Sequence, residues 1–247
     1  MIATPLRDIL FLDIETVPLF YRFDDLPEKW KKLFAKKAAY KLRDDNSVEQ
    51  IYEDGAGIWA EFGKVVAISF GKFTFNDGKR HFHVRNYASS DEISLLTKAK
   101  EVLENFFALP RRRFLCAHNG KEFDFPYLAR RMIIHRIGLP APLKVHGKKP
   151  WETPFCDTME LWSFGDRKHY TSLELLCEIL GIPGSKSGMD GSDVARVFYE
   201  EKNFEKIASY CGEDVVALAN VLLRFKEEDI LDESEISRET RILQSPA

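Results

Sequence analysis

The run Asp8-Ile9-Leu10-Phe11-Leu12-Asp13-Ile14-Glu15-Thr16 decides how this chain is read. It is an apolar segment broken by two carboxylates at alternate positions. In a strand, successive side chains point to opposite faces, so Asp13 and Glu15 project together from one side. Two neighbouring carboxylates on a buried strand repel each other and lose hydration, a penalty relieved when a positive charge sits between them. A divalent metal ion is the candidate for that charge.

Two further segments carry acids in a related pattern. From Cys116 to Leu128 the chain reads as the end of a short strand (Phe114 to Ala117), a turn at Asn119-Gly120 and a helix starting near Asp124. Asp is a favoured N-cap, and Pro126 is tolerated in a first helical turn, where backbone N–H groups lack partners anyway. Tyr210-Cys211-Gly212-Glu213-Asp214 lies in a long helical stretch. A spacing of four residues puts Tyr210 and Asp214 on one helix face. Each motif alone has an ordinary structural explanation: a solvated strand end, a capped helix, a helix face. The occurrence of all three in order, each on a suitable element, carries the functional reading.

The set resembles the DEDD superfamily of 3′–5′ exonucleases, which includes the proofreading domains of DNA polymerases. The first family motif, Asp-x-Glu, falls on Asp13 and Glu15; the second, Asn-x-x-x-Phe-Asp, falls on Asn119, Phe123 and Asp124. In the third, Tyr210 precedes Asp214 by four residues and Ser209 stands where the histidine subtype has its His, so the chain is similar to the tyrosine subtype. Within it, the chain resembles the stand-alone predicted exonucleases related to the family-B polymerase domain, over roughly Asp8 to Phe225.

The resemblance implies metal-dependent hydrolysis of terminal phosphodiesters of single-stranded nucleic acid, DNA favoured, to nucleoside 5′-monophosphates. Hard carboxylate oxygens select Mg²⁺ or Mn²⁺, and two such ions about 3.5–4 Å apart stabilise attacking and leaving oxygens together. By analogy Asp13 bridges both ions, Glu15 and Asp214 complete the site of the nucleophilic water, and Asp124 holds the second ion. Tyr210 orients the water rather than deprotonating it, a free phenol having a pKa of about 10. Asn119, Phe123 and Tyr127 are the residues expected to position the terminal nucleotide, with exposure deciding between that role and a core role for the two rings. Lys186, in the Gly-rich stretch from Gly181 to Ser192, is a candidate phosphate contact; that stretch lacks Walker spacing, which leaves nucleoside-triphosphate hydrolysis unsupported. The implied partners are the 3′ end of single-stranded DNA or RNA and a replication or repair protein.

Composition is consistent with this. The chain has 247 residues, 45% hydrophobic and 30% charged, enough to bury a sizeable core. No apolar run approaches the roughly 18 residues of a spanning helix, and no secretory signal opens the chain, so a cytoplasmic protein without membrane partners is expected. Cys116, Cys156, Cys177 and Cys211 form no C-x-x-C pair and read as reduced core residues. The net charge of −3 does not advertise duplex tracking, although basic residues cluster between Lys29 and Arg43, at Arg111 to Arg113 and between Lys144 and Lys149. Each cluster reads first as a solvated face and second as a cationic approach to an acidic site.

The expected architecture is α/β: a ribonuclease-H-like mixed five-stranded sheet flanked by helices. Strands are read at 9–14, 65–71, 80–87, 113–117 and 155–158, with a hairpin turn at Asn76-Asp77-Gly78. Ser89 with Glu92 reads as a capping box opening a helix to Pro110; further helices are read from Asp124 to Ile137, Ser172 to Leu180, Ser192 to Tyr199 and Phe204 to Lys226. The sheet order 3-2-1-4-5, with the second strand antiparallel, is implied by the resemblance. Residues 1–230 form one domain with a helical insertion at about 17–62, where Trp30, Leu33, Phe34 and Ala38 make an apolar stripe; residues 231–247 form a polar tail.

Three alternatives stay open. An aspartyl-phosphate phosphohydrolase needs Asp-x-Asp after its first strand, which Glu15 breaks. A non-catalytic nucleic-acid-binding module has no use for four metal-competent acids. An RNA-directed exoribonuclease differs only in 2′-OH contacts that spacing does not reveal. His118, His169 and Asp157 read as structural, Asp157 as a helix N-cap.

Overall fold

Alternation along the first strand sorts the molecule into layers. Leu10, Leu12 and Ile14 point to one side into one buried apolar cluster; Ile9 and Phe11 point to the other into a second, and Val17 into a third. The computed structural model describes residues 3–166, 170–184 and 188–244. Along the chain the elements are β1 (Ile9–Pro18), α1 (Glu28–Ala38), α2 (Val48–Gly55), β2 (Gly63–Asn76), β3 (Lys79–Ala88), α3 (Glu92–Phe107), β4 (Phe114–Ala117), α4 (Asp124–Ile134), β5 (Phe155–Asp157), α5 (Thr158–Ser163), α6 (Leu173–Ile179), α7 (Val194–Arg196, continuing as a π turn to Glu201), α8 (Phe204–Phe225) and β6 (Ile236–Ile242).

The sheet order is β5-β4-β1-β2-β3-β6. β2 runs antiparallel to β1 and β3, while the β1–β4, β4–β5 and β3–β6 pairs are parallel. The first five strands thus take the ribonuclease-H-like arrangement, with α3 and α4 on one face and α8 on the other. The sheet has six strands rather than five. Residues 236–242, expected within a polar tail, pair with Phe82–Ala88 along the whole of β6. Asp77 and Gly78, both at positive φ, turn the β2–β3 hairpin as the Asp-Gly pair requires.

Several local expectations are corrected. The cap of α3 is Asp91, which accepts from the amides of Ile93 and Ser94; Ser89 accepts instead from Asp91 N. Glu92 is freed from capping and buried. It accepts from Arg131 Nε at 2.8 Å and from the Val65 amide at 2.8 Å, while Arg131 Nη1 donates to the Ala60 carbonyl. α4 begins at Asp124 without a side-chain cap and ends at Ile134, because Arg136 takes a left-handed φ of 58°. In the insertion, Phe34 and Ala38 are buried with Phe23, Ile51 and Tyr52, but Trp30 and Leu33 stay 38% and 49% exposed. All four cysteines are buried and unpaired.

The Glu92–Arg131 pair joins α3, α4, β2 and the end of the insertion. Breaking a buried pair costs about 3–5 kcal/mol, although His135 Nε2, 2.7 Å from the same Glu92 carboxylate, remains to answer part of its charge. Arg131→Ala is therefore expected to lower unfolding free energy in urea by about that amount; a loss under about 1 kcal/mol would mean that the pair is not a structural keystone.

Candidate metal centre

β1 pairs with β4 only over Ile9–Phe11, since β4 ends at Ala117. Beyond Phe11 the edge of β1 facing β4 is open, at the point where the chain order reverses on either side of β1. Crevices at such switch points, beside the carboxyl ends of parallel strands, are where α/β sheets place their sites. Asp13 and Glu15 lie on this free half and face α8. A bulge in β2 between the partners of Glu15 and Thr16 (Ala67 and Val65) re-aims the pairing beside them.

α8 brings Cys211 and Asp214 over the strand. It comes this near because residue 212 is glycine: a Cβ there would lie 2.4 Å from Asn86 Oδ1 on β3. The Cys211 thiol donates to Asp13 Oδ2 at 3.3 Å. Burial and the charges of Asp13 and Glu15 push this thiol well above its ordinary pKa, which keeps it protonated as a donor. Ligand atoms of Asp13, Glu15 and Cys211 lie within 4.8 Å of one another. Asp214 and Asp124 border this cluster without joining that tight group. The Tyr210 hydroxyl lies one turn earlier and partly offsets the rise in the Asp214 pKa.

Asp124 arrives from the other layer, at the first turn of α4, with its carboxylate beside the Ile14 amide, between the two acids of β1, which lowers its pKa. The loop that aims it was only half legible. Asn119 takes a left-handed φ of 60°, and a Cβ on Gly120 would lie 2.3 Å from the Ala117 side chain. Asp157 organises this loop: besides capping α5 it accepts from Asn119 N at 2.9 Å and Lys121 N at 3.0 Å. The N-cap reading of Asp157 is thus right but incomplete. His118 donates Nε2 to the Thr171 carbonyl and accepts from Thr158, a structural role.

The electrostatics of the cluster are one-sided. Burial raises the pKa of Asp13, and Glu15, Asp124 and Asp214 raise it further; burial, Asp214 and Asp124 do the same to Glu15. Burial pushes Asp124 up to about 7, with Asp157 adding to it, and pushes Asp214 up to about 7, with Glu213 and Glu174 adding to it. Among the described residues, the neighbouring charges that shift these four carboxylates are themselves carboxylates. An all-oxygen, uncompensated acidic set of this kind fits a hard divalent cation. The Tyr210 hydroxyl is pushed above its ordinary range by burial and by Asp214, Glu15 and Asp13.

The residues proposed for nucleotide contacts divide. Asn119 and Phe123 are half-buried at the mouth of the α4 turn, and Asn119 Oδ1 has no hydrogen-bond partner. Tyr127 is 1% exposed and donates to the Gly57 carbonyl at 2.8 Å, so it is a core residue tying α4 to the insertion, not a stacking platform. Lys186 and His169 fall outside the described residues.

Comparison with known proteins now has a geometry to meet. A family described as a predicted 3′-5′ exonuclease related to the exonuclease domain of PolB matches residues 58–245. The chain belongs to that family. The matched span takes in Asp124, Tyr210, Asp214 and all of β6, while Asp13 and Glu15 precede it and enter the site through the pairing of β1 with β2. Among solved structures, the family B DNA polymerase from the hyperthermophilic archaeon Pyrobaculum calidifontis is similar at 16% identity and a TM-score of 0.49, over 90% of this chain and 25% of that one. The chain therefore spans a quarter of the length of that polymerase. Among the described residues, no helix is long and apolar enough to cross a membrane.

Two outcomes follow from this exonuclease-family centre. Tyr127→Phe is expected to lose about 1–2 kcal/mol of stability by orphaning the Gly57 carbonyl, with substrate KM unchanged; a raised KM would return Tyr127 to the substrate site. Asp214 has its folded pKa raised to about 7, so the stability tied to its proton is full below the unfolded carboxylate range and lost as pH rises through 7. Metal-free Asp214→Asn should then melt above wild type at pH 8, by about 1–2 kcal/mol, and the gap should close at pH 5. A gap that is constant with pH would contradict the raised pKa.

Proposed function

We propose that the chain is a divalent-metal-dependent 3′–5′ exonuclease that releases nucleoside 5′-monophosphates from single-stranded nucleic acid, with DNA favoured. The observation that carries this is the convergence of four buried, mutually repelling carboxylates from β1, α4 and α8, with the Tyr210 hydroxyl beside them. Membership of the exonuclease family and its stated relation to PolB support it, and the latter favours DNA.

Asp13, Glu15 and Asp214 would hold one Mg²⁺ or Mn²⁺, and Asp13 with Asp124 a second. Bound there, such ions supply an activated water and charge stabilisation for the leaving oxygen. The protein's own part is positional. Cys211 fixes the Asp13 carboxylate through its thiol, and the Ile14 amide and the Asp157-braced loop fix Asp124. Tyr210, kept protonated, is placed to orient the attacking water through its phenol oxygen rather than to remove its proton. Asn119 and Phe123, both half-buried, border the place where the terminal nucleotide would lie.

The test is shortening of 5′-labelled single-stranded DNA and RNA with Mg²⁺, Mn²⁺ or EDTA. A metal-dependent ladder from the 3′ end is expected, abolished in Asp13→Ala and slowed about 10- to 100-fold in Tyr210→Phe, the range for a group supporting a metal site. Absence of cleavage with either strand and either metal, by a protein whose melting temperature nonetheless rises with Mn²⁺, would overturn the catalytic reading in favour of a binding module.

A further inference from the structure

The outer end of the sheet face that carries α3 is not covered by a helix. There α3, the β2–β3 hairpin and the segment before β4 enclose a groove of about 540 Å³. Seven of its lining side chains are Lys or Arg and one is acidic, in a chain whose net charge is −3. Some of these cations are partly neutralised: Arg111 by Asp8, Lys98 by Glu101, and Arg85 with Arg241 by a shared Glu239. Arg7 and Lys72 are exposed and pair with no carboxylate among the described residues.

Arg113 is the more telling member. It is 8% exposed, one end of its guanidinium donates to the Phe106 carbonyl, and its Nε has no partner. Burial and the neighbouring Arg111 push it below the ordinary guanidinium pKa. Like charges gathered in this way repel unless an anion lies among them. Aromatic surface is interleaved: Phe106 lies under the Arg113 guanidinium, and Phe75 at the rim is 48% exposed. Cationic grooves with stacking rings are what single-stranded nucleic acid binds without sequence preference, and guanidinium forks match phosphate oxygens.

Leu10 lies in this groove, three residues before Asp13 on β1. An odd separation puts the groove on the opposite sheet face from the acids, about 10 Å back along the strand. The groove therefore cannot belong to the cleavage site. We propose that it holds the sugar–phosphate backbone of single-stranded substrate at a distance from the 3′ end being cut, an inference that rests on the exonuclease reading above.

The test uses Arg7→Ala/Lys72→Ala, two exposed and unpaired positions, with anisotropy of labelled strands of about 30 and about six nucleotides in EDTA. Affinity for the long strand should fall about tenfold and its salt slope by about 1.4, the value for two phosphate contacts on single strands, while the short strand binds as before. Unchanged long-strand affinity and slope, or no binding of the long strand by wild type, would overturn the proposal. So would a loss confined to polyglutamate, which would make the groove a site for an acidic protein. Hydrolysis of the short strand with Mn²⁺ is followed in parallel: its absence in wild type sinks the exonuclease reading, and the binding comparison still decides the groove.

Discussion

Repulsion among Asp13, Glu15, Asp124 and Asp214 is the constraint around which the molecule is arranged. Burial and nearby carboxylates raise the pKa of all four, and among the described residues no cationic side chain forms an ion pair with them. Such an arrangement persists only if other interactions impose it. The imposing set is visible on both sides of the sheet. Gly212 lets α8 settle on Asn86, the Cys211 thiol holds Asp13, the Ile14 amide draws in Asp124, and Asp157 locks the loop preceding α4. The free energy to hold these contacts comes from the two apolar layers, which bury β1 completely at Phe11 and Leu12, just before the acids.

The same arrangement separates tasks along β1. Its start, where Leu10 and Phe11 pair on both edges, is scaffold; beyond Phe11 it pairs only with β2 and is open to chemistry. The residues that support the centre are drawn from every layer, and several, such as Glu92 and Arg131, act at a remove by fixing α4 to the insertion. This is a division between groups that meet a ligand and groups that keep them in place.

Much of this was legible beforehand, for identifiable reasons. The alternation at Asp13 and Glu15 and the four-residue step from Tyr210 to Asp214 are local periodicities, and local periodicity is what a sequence displays most directly. β6 was missed because Ile-Ser-Arg-Glu-Thr-Arg-Ile has polar residues on both faces, as an edge strand over an open groove does; its pairing with β3 is long-range and leaves no local mark. The Ser89–Glu92 box was misread because Asp91, between them, is the stronger cap, while Glu92 is claimed by Arg131, 39 residues away. Tyr127 looked available because a helix period says which face a ring is on, not what will cover that face; here the insertion does.

β6 also has a consequence for how molecules of this chain meet one another. Without it, β3 would present ten residues of unpaired backbone, and such an edge is a template for pairing with a second chain. β6 covers seven of those positions and offers in its place a shorter rim carrying Arg238, Glu239 and Arg241, whose charges discourage further strand addition. At the opposite rim β5 is only three residues long. The segment that completes the sheet thereby serves as a guard against self-association, a role independent of any chemistry at the far end of β1.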